Sequence, residues 1–267
     1  VWDVNSGKSV TANTTEILKK IVANEVGGFT NAQLSVGDRR SLYQAQAIAA
    51  HSWLIYQIRH GVSTPSVGLA GSYSSEISTA VESVKDVLVK YNGDVANTAY
   101  GSCAAAKTNS AANMGWGSYA YLVSVESAFE QKFAPAQYYP KATTIKQETM
   151  RSNVIKMVGE SVFKAYESKP ESWITEIHKD ANGYVDYAVV CGQRITGGKF
   201  YENCWGMYGA NLVSWSYNSS AKSWVITTNG NGHGVGMSQY GAAGYIAQYG
   251  WNYTQVLQHY FPGTSVV

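Results

Sequence analysis

The spacing of apolar residues predicts two amphipathic helices near the start of the chain, the first from about residue 13 to residue 28. Asn13, with Glu16 in the same first turn, resembles a capping box at a helix start. The apolar residues that follow recur at helical spacing and form a stripe expected to be buried, namely Ile17, Leu18, Ile21 and Val22. Lys19 and Lys20 are expected to face solvent, and Gly27 to end the helix.

Glu25 falls on the same stripe as these apolar residues. A carboxyl group on an apolar face loses hydration, which disfavours its charged form and raises its pKa. A carboxyl that stays protonated near neutral pH is what a general acid requires. The alternative is that Glu25 turns to water where the helix ends, and the pattern alone leaves both interpretations open.

The second predicted helix covers about Ser41 to His60 and follows a loop over residues 29–40. Its stripe is largely alanine, which lets another helix approach closely, and the natural neighbour is the helix that carries Glu25. Gln46 lies among these alanines, so a buried amide there needs a hydrogen-bond partner. Glu25 is the candidate partner, whereas a Gln46 at the edge of the stripe would bond to the backbone instead.

Apolar runs in the rest of the chain predict strands, and Asn92-Gly93 is a strong hairpin signal. The predicted strands cover residues 86–91, 94–100, 119–125, 185–190, 212–217 and 223–228. Helical periodicity recurs over residues 79–84, over 143–166 within a helical insertion at about 130–180, and over 252–260. The chain of 267 residues is therefore expected to form a single α+β domain.

The segment Gly230–Gly244 combines six glycines with His233, Ser238, Gln239 and Tyr240. It is not expected to be an ordinary strand or helix interior, because glycine favours tight turns and close backbone approach. Ser238 lacks the GxSxG spacing of a nucleophilic serine, and the lysine of a phosphate-binding loop is missing. A ligand-binding loop beside a catalytic carboxylate fits these side chains best, and a structural turn with an internally bonded His233 is the alternative.

Composition narrows the classes of function. Charged residues make up 14% of the chain, below the ~25% of ordinary domains, while there are 20 Tyr and 8 Trp. A surface rich in Tyr, Trp, Asn and Ser is common in secreted and carbohydrate-handling proteins. A net charge of +2 without a basic block argues against nucleic acid as a partner. No apolar run reaches the ~18 residues of a membrane span, so any anchor is expected to lie outside this chain.

The three cysteines, Cys103, Cys191 and Cys204, are too few for a disulfide scaffold. Cys191 and Cys204 could form a disulfide in an exported protein, and buried free thiols are the alternative. Neither a CxxC pair nor an HExxH motif is present, and we expect no metal and no other cofactor.

Three motifs distinguish the chain: IVANEV at Ile21–Val26, YQAQAIAAHSW at Tyr43–Trp53 and GHGVGMSQYGA at Gly232–Ala242. Together they resemble the stage II sporulation protein D (SpoIID)/amidase enhancer family of bacterial cell-wall proteins. In that family the first motif holds the catalytic Glu, the second is the helix after it, and the third is the terminal signature. The resemblance spans nearly the whole chain and implies a SpoIID-like α+β fold with early helices, antiparallel strands and a helical insertion.

The chain departs from the family's pattern at several places, and two of them bear on the choice between functions. His51 stands where the family has Arg, and GSCAAAKT at Gly101–Thr108 lacks the His and paired glycines of the family's HSxSGGxT-like segment. In some relatives this region carries Cys and His that bind zinc. Only Cys103 remains here, so no metal site is carried over.

The resemblance implies a lytic transglycosylase that acts on peptidoglycan glycan strands, in the sporulation relatives strands already stripped of stem peptides. Glu25 would protonate the glycosidic oxygen between N-acetylmuramic acid and N-acetylglucosamine and then act as base on the muramic acid 6-hydroxyl. A 1,6-anhydro ring closes without water, so one carboxylate suffices where ordinary glycosidases use two. The residues assigned to holding the sugar or orienting Glu25 are Gln46, His233, Ser238, Gln239 and Tyr240.

The rival interpretation is a non-catalytic glycan-binding module that recruits or stimulates a cell-wall amidase. Glu25 favours the enzyme, whereas His51 and the altered Gly101–Thr108 stretch favour the binding module. In both cases the expected partner is peptidoglycan, with an amidase as a further partner, and the expected location is the cell envelope outside the cytoplasm.

Overall fold

The computed structural model describes residues 1–29, 34–206 and 208–267. The α-helices are α1 (Thr14–Val26), α2 (Val36–Arg59), α3 (Ser75–Glu82), α4 (Glu130–Phe133), α5 (Gln147–Val158), α6 (Glu160–Phe163), α7 (Gly197–Cys204), α8 (Gln239–Tyr249) and α9 (Tyr253–Tyr260). The β-strands are β1 (Trp2–Asp3), β2 (Lys8–Ser9), β3 (Ser66–Val67), β4 (Val89–Tyr91), β5 (Asp94–Val95), β6 (Tyr100–Gly101), β7 (Lys141–Lys146), β8 (Ile174–Lys179), β9 (Val185–Val190), β10 (Gln193–Thr196), β11 (Asn211–Asn218), β12 (Ser223–Asn229), β13 (Met237–Ser238) and β14 (Ser265–Val266). Helices and mainly antiparallel sheets confirm the α+β class.

The chain divides into two compact units. The first comprises Val1–Tyr100, Ala120–Leu122 and Gly236–Val267, and the second comprises Gly101–Tyr119 and Val123–Val235. The single catalytic domain with a helical insertion stays a prediction. In the described part of the chain, no helix has the length and hydrophobicity that crossing a membrane requires.

Helix α2 is the centre of the first unit and packs against α1, α3, α8 and α9. Its alanine stripe is buried as predicted, with Ala45, Ala49 and Ala50 fully enclosed. These small side chains let the neighbouring helices approach closely, and α1 is one of them. The predicted pairing of the two N-terminal helices is therefore confirmed.

The start of α2 corrects the predicted boundary. Ser35 Oγ accepts a hydrogen bond from the backbone N–H of Asp38 at 3.1 Å, and Asp38 Oδ2 accepts one from Ser35 N at 2.9 Å. This capping box starts the helix at Val36 rather than at Ser41. The predicted loop over 29–40 is therefore shorter, and its residues 30–33 lie outside the described part of the chain.

Helix α1 confirms the predicted buried stripe but corrects one of its lysines. Ile21 and Val22 are fully buried. Lys19 does not face solvent, because its Nζ pairs with Glu82 at 2.8 Å and with Glu16 at 2.9 Å. The hydrogen bonds to Glu82 and Glu16 raise the pKa of Lys19. Two carboxylates thus compensate the ammonium for its lost hydration.

The glycine-rich segment contains a helix, contrary to the prediction. Helix α8 begins at Gln239, and Gly241 and Gly244 lie in its interior. Ser238 Oγ caps the helix by accepting a hydrogen bond from Gly241 N at 3.1 Å. The small residues give α8 a buried face with little bulk, which lets it pack on α2. Backbone in the left-handed region occurs before the helix, as at Gly236 with a φ of 74°.

Two antiparallel sheets of three strands each belong to the second unit, in the orders β10-β9-β8 and β11-β12-β7. The predicted strands at 185–190, 212–217 and 223–228 are confirmed by β9, β11 and β12. The prediction of a helix over residues 143–166 is wrong for residues 143–146, which belong to strand β7. Thr143, Thr144 and Ile145 are β-branched and pair with β12, so helix α5 begins only after them.

Several tryptophans of the second unit are core residues rather than surface residues. Trp173, Trp205 and Trp224 are at most 5% exposed. The ring of Trp173 stacks on that of Trp224 at 5.5 Å and meets that of Phe163 edge-on at 5.1 Å. Such ring pairs contribute about 0.5–1.5 kcal/mol each beyond burial. The high Trp content therefore reflects core packing in part, and not only the polar surface that composition suggested.

Residues 119–125 do not form the predicted strand. Tyr121 and Leu122 are neighbours and both buried, whereas neighbouring residues of a strand point to opposite faces. The backbone N–H of Asn97 donates to Tyr121 Oη at 2.9 Å and fixes this turn of chain in the first unit. The hairpin at Asn92-Gly93 is confirmed, although β4 and β5 are shorter than predicted.

The cysteines are free and buried, so Cys191 and Cys204 do not form a disulfide. Burial raises the pKa of all three thiols, to about 12 for Cys103. Each therefore stays protonated at neutral pH and behaves as a small apolar side chain. Within the described residues, no group of three His, Cys, Asp or Glu side chains could hold a metal ion.

Burial of His51 is expected to make the free energy of unfolding of the first unit depend on pH. Its Nδ1 is buried without a hydrogen-bond partner among the described residues, and desolvation lowers its pKa. The unfolded chain binds this proton near the ordinary pKa of ~6.5, so acidification below that value favours unfolding.

We expect the free energy of unfolding to fall less between pH 8 and pH 5 in His51→Gln than in the wild type. Carboxylates with lowered pKa values, such as Glu16, add to the acid sensitivity of both proteins and cancel in the comparison. Urea unfolding at the two pH values measures the difference. If the free energy of unfolding fell equally in the two proteins, the acid sensitivity would not come from His51.

Candidate active site

Glu25 lies in the last turn of α1, between the buried core and the surface. Its side chain is half-buried, although the stripe residues Ile21 and Val22 are fully enclosed. Helix α1 ends at the Gly27 cap, and this end leaves the carboxylate partly accessible. The prediction placed Glu25 on the buried stripe, and the structure shows a carboxylate on that stripe that is not sealed in the core.

Each oxygen of the Glu25 carboxylate has a side-chain amide donor. Gln239 Nε2 donates to Oε2 at 2.8 Å, and Asn24 Nδ2 donates to Oε1 at 3.3 Å. The shorter bond to Gln239 is the stronger of the two. The glycine-rich segment therefore reaches Glu25 through Gln239, which is itself 3% exposed.

The Gln239 amide has a fixed orientation because both of its N–H groups have acceptors. Besides Glu25, it donates to Gln46 Oε1 at 3.3 Å. Gln46 is fully buried on α2, and its Nε2 has no hydrogen-bond partner among the described residues. The sequence left two partners open for Gln46, Glu25 or the backbone, and the structure shows neither among the described residues. Gln46 acts instead through Gln239, and it holds that amide with the nitrogen towards the carboxylate.

The other predicted residues of the terminal motif support the start of α8. Ser238 is 4% exposed, and its hydroxyl is used as the helix cap. The ring of Tyr240 stacks on that of Phe29 at a centroid distance of 4.3 Å. These contacts fix the turn from which Gln239 points to Glu25. A role of Ser238 or Tyr240 in binding substrate stays a prediction.

His233 belongs to the second unit. Its Nδ1 accepts a hydrogen bond from the backbone N–H of Val235 at 3.0 Å. A ring nitrogen that accepts from a backbone N–H carries no proton, so the neutral ring has its proton on Nε2. Trp116 meets the imidazole edge-on at a ring distance of 4.9 Å. The alternative of an internally bonded His233 is confirmed for Nδ1, and substrate binding by His233 stays a prediction.

Two residues near Glu25 were missed by the sequence analysis. Asn24 is held by Asn5, whose Nδ2 donates to Asn24 Oδ1 at 2.8 Å and to Leu69 O at 3.1 Å. Burial, with the nearby charge of Glu25, raises the pKa of Tyr100, so its phenol stays protonated. Tyr100 is the last residue of a predicted strand, and no periodicity signals that it lies near Glu25.

Comparison with known proteins supplies the context for this geometry. The chain matches no protein-family model. It is 26% identical to stage II sporulation protein D of Bacillus subtilis and 25% identical to that of Bacillus amyloliquefaciens, over 72% of this chain and 51% of each relative. It is 23% identical to the amidase enhancer of Bacillus subtilis, over 84% of this chain and 37% of the relative.

The chain is a homologue of these proteins. The resemblance carried by the three sequence motifs is thereby confirmed over most of the chain. The chain spans about half the length of the two SpoIID relatives and a smaller share of the amidase enhancer. What the whole relatives do therefore reaches this chain only as a proposal.

Proposed function

We propose that this chain is a peptidoglycan lytic transglycosylase that acts in cell-wall remodelling during sporulation, with Glu25 as its acid and base. The observation that carries the proposal is the hydrogen bond from Gln239 of the glycine-rich segment to the half-buried carboxylate of Glu25. Both residues lie in motifs that resemble the SpoIID/amidase enhancer family. The buried donor orients the carboxylate, and its partial exposure leaves it accessible to a substrate.

The two oxygens of Glu25 have different roles in this proposal. Oε2 is engaged by Gln239 at 2.8 Å, while the bond from Asn24 to Oε1 is longer, at 3.3 Å. Oε1 is therefore the oxygen that exchanges a proton with the substrate. It gives the proton to the glycosidic oxygen as the bond breaks and then takes one from the 6-hydroxyl of N-acetylmuramic acid. The closing 1,6-anhydro ring leaves Glu25 protonated again.

The uncharged groups Gln239 and Tyr100 near Glu25 suit both halves of this cycle. Gln239 donates from a side chain that does not titrate, and Tyr100 keeps its proton because its pKa is raised. Neither group competes with Glu25 for the transferred proton. The substrate's own hydroxyl closes the ring, so the reaction needs one carboxylate where a hydrolytic glycosidase needs two.

Digestion of purified peptidoglycan tests the proposal. Intact sacculi and sacculi stripped of stem peptides by an amidase are incubated with the protein, and mass spectrometry distinguishes 1,6-anhydro ends from hydrolysed ends. We expect anhydro ends, with more from the stripped strands. Hydrolysed ends, or no cleavage of either substrate, would reject the transglycosylase.

The second candidate is a glycan-binding module that stimulates a cell-wall amidase. The similarity to an amidase enhancer over 84% of this chain favours it. The module would bind sacculi and increase amidase turnover without producing anhydro ends. The same digestion, repeated with an added amidase, separates the two candidates because only the enzyme forms new glycan ends alone.

Gln239→Met is expected to lower kcat for anhydro-end formation about 10²-fold with little change in KM. The thioether side chain keeps the length of Gln239 but removes the donor that orients Glu25. Gln248→Met makes the same change on the exposed end of α8 and should retain the wild-type rate. Initial rates on stripped sacculi measure both variants. Equal rates for the two would show that Glu25 needs no orientation by Gln239.

A further inference from the structure

A pocket in the second unit, lined by none of the residues assigned above, has mainly neutral polar side chains in its lining. Its volume is about 340 Å³, at the small end of the range for ligand sites and enough for one sugar ring. The lining side chains used below are Lys107, Gln131, Tyr139, Asn182, Asn211 and Asn229. Among the described residues that line it, there is no carboxylate.

Three asparagines form a connected chain of amides along one side of this pocket. Asn229 Nδ2 donates to Asn211 Oδ1 at 3.4 Å, and Asn211 Nδ2 donates to the backbone O of Asn182 at 2.6 Å. The side chain of Asn182 is oriented in turn by donating to Ser124 Oγ at 3.0 Å. Asn211 is 6% exposed, so the middle of the chain is buried. The amides are thus fixed by the protein before any ligand arrives.

The fixed amides leave acceptors available to a ligand. Oδ1 of Asn182 and Oδ1 of Asn229 accept no hydrogen bond from any described residue. Tyr139 adds an aromatic ring, and its hydroxyl is already used in donating to the backbone O of Ala104. Oriented amide groups beside an aromatic ring bind hydroxyl and acetamido groups, and the ring covers the apolar face of a sugar.

Lys107 is the cation on the rim of the pocket. Its side chain is exposed, and its Nζ makes no ion pair or hydrogen bond with a described residue. An ammonium at the edge of an otherwise neutral pocket favours a ligand that carries one carboxylate at its periphery. The pocket therefore combines neutral recognition at its centre with a single positive charge at its rim.

We propose that this pocket is a binding site for an N-acetylated amino sugar, and that Lys107 gives it a preference for one that carries a carboxylate. N-acetylmuramic acid has both an acetamido group and a carboxylate, whereas N-acetylglucosamine has only the acetamido group. The inference rests on the proposed function for the source of the sugar, a peptidoglycan strand. The pocket would hold a sugar of the strand without taking part in its cleavage.

The test measures binding in Glu25→Gln, so that cleavage plays no part. Heteronuclear NMR follows backbone amides during titration with N-acetylmuramic acid, N-acetylglucosamine and glucose. We expect shifts at residues 105–107, 182 and 229, with N-acetylmuramic acid binding several-fold more tightly than N-acetylglucosamine. Glucose, which lacks both groups, should bind at least ten-fold more weakly than N-acetylmuramic acid.

Three further substitutions, each added to the Glu25→Gln protein, locate the site. Asn229→Leu should weaken both amino sugars at least ten-fold. Lys107→Met, on the exposed rim, should remove only the preference for N-acetylmuramic acid. Asn153→Leu makes the asparagine-to-leucine change on α5, outside the pocket, and should bind like the parent.

Two results would overturn the proposal: no shifts at the pocket with either amino sugar, or equal binding by Asn229→Leu and Asn153→Leu with both spectra folded. Neither result bears on whether the wild type forms anhydro ends. Failure of the pocket and failure of the proposed enzyme are thereby distinguishable.

Discussion

Glu25→Gln is expected to lower the rate of anhydro-end formation about 10³-fold, because an amide cannot donate and recover the proton that general acid–base catalysis requires. Gln has the shape of Glu, and its Oε can still accept the hydrogen bond from Gln239. The loss should therefore appear in kcat and not in folding. Initial rates on amidase-stripped sacculi, with sedimentation of protein with sacculi as the binding measurement, give the two quantities separately.

Glu16→Gln is the matched control on the same helix. Glu16 bonds to Lys19 and Tyr73, at the opposite end of α1 from Glu25. Loss of the Glu16 carboxylate should cost some stability but leave the hydrogen bond from Gln239 to Glu25 intact. The rate should therefore stay within a few-fold of the wild type. If the Glu25→Gln protein retained the wild-type rate, another residue would have to be the acid, and the proposed role of Glu25 would be wrong.

Gly236→Ala is expected to destabilise the first unit by about 3 kcal/mol or more. Gly236 has a φ of 74°, and a Cβ there would lie 2.0 Å from the backbone O of Ala99. That oxygen also accepts the hydrogen bond from Met237 N at 3.0 Å, so relief of the clash would break the bond. Thermal and urea unfolding measure the loss.

Gly250→Ala separates the steric clash from backbone strain. Gly250 ends α8 with a φ of 66°, and a Cβ there would meet no heavy atom within 4 Å. It should therefore cost only about 1 kcal/mol, from the left-handed backbone alone. Equal losses at the two glycines would show that the approach to Ala99 is not what requires glycine at position 236.

The sequence predicts those features that depend on neighbours in the chain. The stripe of α1 and the place of Glu25 on it follow from helical periodicity, and the end of the helix follows from Gly27. Ser35 and Asp38 have the spacing of a capping box, which apolar periodicity does not reveal. The prediction from periodicity therefore started α2 at Ser41 instead of Val36. Strand β9 matches its predicted limits because Val185–Val190 is a short segment rich in valine.

Contacts between distant parts of the chain could not be predicted in the same way. Lys19 looked exposed because its partner Glu82 lies on α3, and periodicity does not reveal a pairing between helices. Gln46 was placed correctly in the core, but the amide between it and Glu25 comes from another segment. The connected chain of amides in the second unit likewise arises where separate strands and turns meet, since it joins Asn182, Asn211 and Asn229.

The hydrogen bond between Gln239 and Glu25 also has a consequence for the order of biosynthesis. The two residues are 214 positions apart, so a growing chain contains the carboxylate long before it contains the donor. A contact this distant must await closure of a very long loop. The carboxylate is therefore oriented only after α8 has been made, and a product truncated before α8 would lack the donor that orients Glu25.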